Sequence, residues 1–138
     1  MIAIAVVGFN FMKLTVERGE LLKGKINIQN NVAIKDVEET ELGLGQAKQR
    51  GLKFSFEFTS SFEPKLASIT LAGNVLYLSD KDKTAGILDG WKKSKKVPPD
   101  VMTEVLNTVL TKCNIEALML ARDFNLPSPV PLPKIEPT

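Results

Sequence analysis

Between residues 52 and 63, apolar and polar side chains alternate almost without fault. Leu52, Phe54, Phe56, Phe58 and Phe62 fall on one parity; Lys53, Ser55, Glu57, Thr59, Ser61 and Glu63 fall on the other. Successive side chains of a strand point to opposite faces, so this run predicts a strand with one covered face and one wet face, as in an antiparallel sheet. Glu63-Pro64-Lys65 interrupts it, since proline cannot donate to a ladder. From Leu66 to Leu78 the alternation resumes with Ile69, Leu71, Val75 and Tyr77 on one parity, and the two runs predict a hairpin. Gly73-Asn74, in the middle of the second run, marks a candidate bulge.

Upstream, Lys25 to Glu39 predicts another strand, with Ile26, Ile28, Val32 and Ile34 in step. Asn30 falls on the same face, which predicts a bend near Asn30-Asn31. In the first strand, about Ile4 to Glu17, the apolar parity slips from Phe9 and Phe11 to Met12, Leu14 and Val16. A bulge produces such a slip, and so does a strand that is apolar on both faces. Gly43 to Gly51, polar and flanked by glycines, reads as a loop.

After Leu78 the period changes from two to that of a helix. Ser79 or Asp80 can cap a short helix whose apolar stripe is Ile87, Leu88 and Trp91 and whose basic end is Lys92, Lys93, Lys95 and Lys96. Pro98-Pro99-Asp100 stops it and starts a second helix, from about Pro99 to Asp123. There Val101, Val105, Val109, Cys113, Ala117 and Ala121 recur at four-residue spacing, widened by Leu106, Leu110, Leu118 and Phe124. Met102, Ile115 and Met119 lie elsewhere on that helix. From Ile115 to Ala121 it is apolar nearly all round, which predicts cover on more than one side. The tail from Leu126 to Pro133 has proline at every second position and must be extended. Leu126, Val130 and Leu132 are expected to lie back on the domain. The order of elements gives an α+β fold in one domain, residues 1–138: a four-stranded antiparallel sheet over about 4–78, two helices over about 80–124, and an extended tail over 125–138.

Composition narrows the function more than it names it. The 138 residues carry 18 Lys and Arg against 16 Asp and Glu, a net charge of +2, too small for a whole-protein field that attracts nucleic acid. There is no histidine, which removes Ser-His-Asp triads, Cys-His dyads and imidazole metal sites. The single cysteine, Cys113, permits neither an internal disulfide nor a thiolate zinc site within one chain. The apolar start, Met1 to Phe9, lacks a basic leading segment and is broken by Asn10 and Lys13, so it reads as a strand, not a signal peptide or a membrane span. With one unpaired cysteine, the expectation is a cytoplasmic chain without membrane insertion.

The candidate chemistry is sparse. Asp36 and Glu38 face one way on their strand, and Glu39 and Glu41 the other, which splits any metal site and suits a charged strand edge. Gly43-x-Gly45 lacks the third glycine and the helix of a dinucleotide fingerprint. Cys113 sits on the apolar helical stripe as a small hydrophobe. No cofactor is expected, and no constellation of carboxylates or lysines points to an enzyme.

Four antiparallel strands followed by two helices, the last long and running into a Leu-Pro segment, resembles the SecB family of bacterial chaperones, which hold unfolded preproteins. The resemblance is carried by Ile26-x-Ile28, the hairpin from Leu52 to Leu78, the apolar helix from Asn107 to Phe124 and the exit Asn125-Leu126-Pro127. It implies a tetramer built as a dimer of dimers, with long apolar grooves that bind extended, non-native chains. The proline-rich tail lacks the acidic character of many tails in that family, so the resemblance favours binding of unfolded polypeptide over a role in export. The first expectation is therefore a homo-oligomer, dimer or tetramer, that binds unfolded polypeptides without chemistry. Its candidate groove residues are Phe9 and Phe11 on the first strand, Phe54, Phe56 and Phe58 on the third, and Ile115 and Met119 on the last helix. The second is a module that binds nucleic acid or another acidic partner through Lys92, Lys93, Lys95 and Lys96; the interleaved Asp80, Asp82 and Asp89 weigh against nucleic acid.

Overall fold

The computed structural model describes residues 5–19, 26–44, 47–63 and 66–129. Four strands, β1 (Ala5–Arg18), β2 (Asn27–Leu44), β3 (Ala47–Glu63) and β4 (Ala67–Leu78), precede two helices, α1 (Lys81–Ser94) and α2 (Pro99–Asp123). The sheet is antiparallel throughout, in the order β1-β4-β3-β2. α1 lies over β2 and β3, and α2 crosses β4, β1 and β3, so both helices cover the same face. The other face carries the polar parity of β3.

The covered face is a lattice of paired rows. Phe9, Val75, Phe54 and Val37 form one row; Phe11, Gly73, Phe56 and Ile34 form the next; Leu14, Leu71, Phe58 and Val32 the one after. The phenylalanines of β3 are sealed beneath the helices, each adding roughly 2–3 kcal/mol of burial. Gly73 leaves a gap in its row, and the rings of Phe9, Phe11 and Phe56 converge there. Phe9 and Phe56 stack with centroids 5.1 Å apart, and Phe11 meets Phe9 edge-on at 4.9 Å.

The slipping parity of β1 has a definite cause. The register shifts once between Val6 and Gly8 and again between Phe11 and Lys13. The two extra residues, Val7 and Met12, keep Val6, Phe9, Phe11, Leu14 and Val16 all on the covered face. The bulge expected at Gly73-Asn74 is thus on the partner strand, and β4 itself pairs with β3 without a break there. Gly73 permits it by closeness: a Cβ at that position would lie 2.0 Å from the Asn10 carbonyl oxygen.

Two other expectations are corrected. The ladder runs straight through Asn30-Asn31, and β2 is irregular instead between Ile34 and Asp36. Asn30 needs no bend because its amide is satisfied in place. Buried Ser60 donates to Asn30 Oδ1 at 2.6 Å, and Asn30 Nδ2 donates to the Pro129 carbonyl at 2.7 Å. The segment 43–51 is not a polar loop. β2 continues to Leu44 and β3 begins at Ala47, with pairs as far as Leu44–Ala47, so the polar residues belong to a hairpin arm.

The helices follow their stripes. Asp80 caps α1 by accepting the Lys83 N–H at 2.7 Å, and Thr84, Ile87 and Trp91 are buried. Lys95, left-handed at φ 57°, ends the helix. Pro99 opens α2, whose buried row is Val101, Val105, Val109, Cys113, Ala117 and Ala121. Phe124 falls beyond the helix end and is exposed. Lys83 binds Asp100 at 3.2 Å and ties the two helices together, which holds the Asp100 carboxyl below its ordinary value. Beyond α2, Leu126 is buried as expected, while Val130 and Leu132 lie outside the described residues. No helix among the described residues is long and apolar enough to cross a membrane.

Candidate functional site

The sequence-derived candidates separate into core and surface. Phe54, Phe56 and Phe58 are core side chains, not groove walls, because both helices rest on their face. Phe9 and Phe11 are half-buried beside them near the β1 edge. Ile115 and Met119 point away from the sheet and stay 56% and 45% exposed. They share no groove with the phenylalanines: α2 lies between the two sets, its buried row turned to the sheet and this pair to the outside. Leu14, on the covered face, is also left open where the cover of α2 runs out.

The concave apolar surface lies at the opposite edge. Among the described residues β2 pairs only with β3, so its free side presents unpaired backbone N–H and C=O groups. Edge strands are usually blunted by charge, proline or a bulge. Here Asn27 to Ile34 carries no charge and no proline, and the irregularity comes only at Lys35. Beside this stretch is a cleft of about 520 Å³ lined by Val32, Ala33, Ile34, Lys35, Trp91, Lys95, Met102 and Leu106. The sequence reading missed it, because its walls come from β2, the end of α1 and the start of α2. The one signal was Met102, which stands off the main stripe of its helix.

The far half of β2 is well blunted. Arg50 binds Glu39 at 2.9 Å, and Lys53 binds Glu38 at 3.4 Å. Asp36 is held below its ordinary value, first by a hydrogen bond with Glu38 and then by the Val37 N–H, which donates at 2.9 Å. Trp91, 7% exposed, has its Nε1 buried without a hydrogen-bond partner of sound geometry, yet it is near enough to help hold the Asp36 carboxyl down. The Lys95 ammonium lies 5.2 Å from the centroid of the Trp91 ring.

The remaining candidates fall into place. Lys92, Lys93, Lys95 and Lys96 are exposed around the end of α1, but Trp91 is packed inward and offers no open ring for a base. Cys113 is buried, and burial first, then the charge of Glu116, pushes its thiol up to about 12. Gly43 continues β2, and Gly45 lies outside the described residues. Among the described residues no group of three or more His, Cys, Asp or Glu is placed to hold a metal ion. No family model matches the chain, and no curated protein or solved structure matches it.

Proposed function

We propose that this protein binds extended, non-native polypeptide along the free edge of β2, without chemistry and as a homo-oligomer, in the manner of the SecB-like chaperones. The observation that carries the reading is the uncharged stretch Asn27 to Ile34 on a strand edge that is unpaired among the described residues, beside an apolar cleft. Unpaired backbone groups accept any extended chain as an added strand, which is indifferent to sequence. The walls of Val32, Ile34, Met102 and Leu106 take apolar side chains by non-directional burial, with a flexible methionine among them. Low specificity follows from both contributions. Ile115 and Met119, exposed on the outer side of α2, support contact between copies.

The test is suppression of aggregation. The purified protein in stoichiometric amount is expected to slow light scattering by a chemically denatured client diluted into buffer. The double variant Met102→Glu and Leu106→Glu places charge in the cleft and is expected to lose that effect while keeping its circular dichroism spectrum. A wild-type protein that leaves aggregation unchanged refutes the reading, as does a folded double variant that holds clients equally well.

A further inference from the structure

A second cleft, of about 600 Å³, lies where α1 gives way to α2. Its floor includes Gly86, Val97, Pro98 and Met102, and Lys95 and Lys96 stand on its rim. We propose that it docks an acidic segment of another polypeptide, one that alternates carboxylates with apolar side chains.

Charge comes first. Lys92 and Lys93 occupy the last turn of α1, and the left-handed Lys95 turns the chain so that Lys95 and Lys96 follow at once. All four are exposed, and none forms an ion pair among the described residues. The acids around the cleft are Asp82, one turn before Gly86 on the helix, Asp89, three residues beyond that glycine, Asp100, which Lys83 pairs, and Asp36, whose charge Lys95 feels. Among the described residues the charged side chains that line the cleft itself are Lys95 and Lys96, so its rim is positive on a chain whose total is only +2.

The floor decides which kind of anion fits. Val97, Pro98 and Met102 are apolar, and no aromatic face is open to stack a base, which disfavours single-stranded nucleic acid. Gly86 is the independent observation. A glycine in a helix interior weakens the helix relative to alanine. Gly90, one turn on, has a reason within the chain, since a Cβ there would sit 3.2 Å from the Lys96 carbonyl. Gly86 has none: a Cβ there would meet nothing within 4 Å. The bare backbone at Gly86 is room for a visitor, and Lys95 and Lys96 on the rim specify a negative one. This cleft adjoins the one along β2 through Lys95 and Met102, but the proposal does not need the β2 edge to bind anything.

The experiment uses the full chain and a short fluorescein-labelled peptide alternating aspartate with leucine, read by anisotropy at low salt. Binding is expected, is expected to weaken as salt is raised, and is expected to be absent for a peptide with lysine in place of aspartate. The double variant Lys92→Glu and Lys96→Glu is expected to lose about tenfold or more in affinity. Gly86→Leu fills the floor without altering charge and projects into open space, so the fold is retained; it is also expected to lose about tenfold. Failure of the acidic peptide to bind at low salt overturns the proposal. So does binding that survives either variant. If single-stranded RNA binds the wild type and Gly86→Leu equally while the peptide does not bind, the patch is a simple charge surface and the proposal fails.

Discussion

Replacing Gly73 by alanine adds one methyl group, and the structure says where it goes. The new Cβ would lie 2.0 Å from the Asn10 carbonyl oxygen and 3.0 Å from Phe11 Cα. A carbon and a carbonyl oxygen ordinarily stay about 3.3 Å or more apart, so the β1 backbone must withdraw by more than 1 Å, roughly. The obstacle is backbone, with no side-chain rotamer to relieve it. Overpacking of that kind costs about 1–3 kcal/mol, and this case belongs at the upper end. Alanine also narrows the unfolded ensemble, which returns about 0.4–1 kcal/mol. The net expectation is a loss of about 2–2.6 kcal/mol and a thermal midpoint lower by about 6–10 °C. The same substitution at Gly86, where the new methyl meets nothing within 4 Å, serves as the control. There the helix gains about 0.5–1 kcal/mol, and the midpoint rises by about 2–4 °C. Thermal melts followed by circular dichroism, with urea titrations for the free energies, decide the matter. If Gly73→Ala melts within about 2 °C of the parent, or if both variants move in the same direction, the close approach of β1 to β4 does not exist as described.

Two further outcomes are expected. Asn30→Ala strands the buried Ser60 hydroxyl and frees the chain at Pro129, a cost of about 1–3 kcal/mol in urea unfolding; combining Asn30→Val with Ser60→Ala should recover most of it, and a double variant no better than the single would rule out the hydrogen-bonded seam. Burial, and then the charges of Glu104 and Asp100, push Tyr77 up to about 12, as burial and Glu116 do for Cys113. Both groups stay protonated in the fold while their unfolded counterparts ionise from about 9.0 for the thiol and 10.0 for the phenol, so stability is full below pH 9 and declines as pH rises toward about 12. Melts across that range measure the decline, and rapid labelling of Cys113 by a thiol reagent in the native protein at pH 8 would contradict its burial.

The architecture was largely legible because each element carries its own period. The strict alternation from Leu52 to Phe62 and the four-residue row from Val101 to Ala121 specify which side is covered with no knowledge of the partner. What stayed hidden depends on pairs of elements. Two explanations for the slip in β1 were equal in the sequence, and only its register against β4, closed over Gly73, decides for bulges. The straight course of β2 through Asn30 rests on Ser60 and Pro129, 30 and 99 residues away in the chain. The hairpin arm at 43–51 read as a loop because glycine and polar residues are found in ladders as well as in turns. For the site, the phenylalanine face was visible as apolar, but an apolar face does not say whether a helix will lie on it. The cleft beside β2 needed three elements brought together, and no single stretch of sequence carries it.

The strand order has a consequence for how the molecule is made. β1 leaves the ribosome first, yet its neighbour in the sheet is β4, and the phenylalanines of β3 must wait for Ala121 to be translated before their shelter is complete. At about 5–20 residues per second, the nascent chain spends seconds with its greasiest strand bare and its opening segment unmated. The covered face is therefore completed only once α2 has been made, long after the strand it shelters.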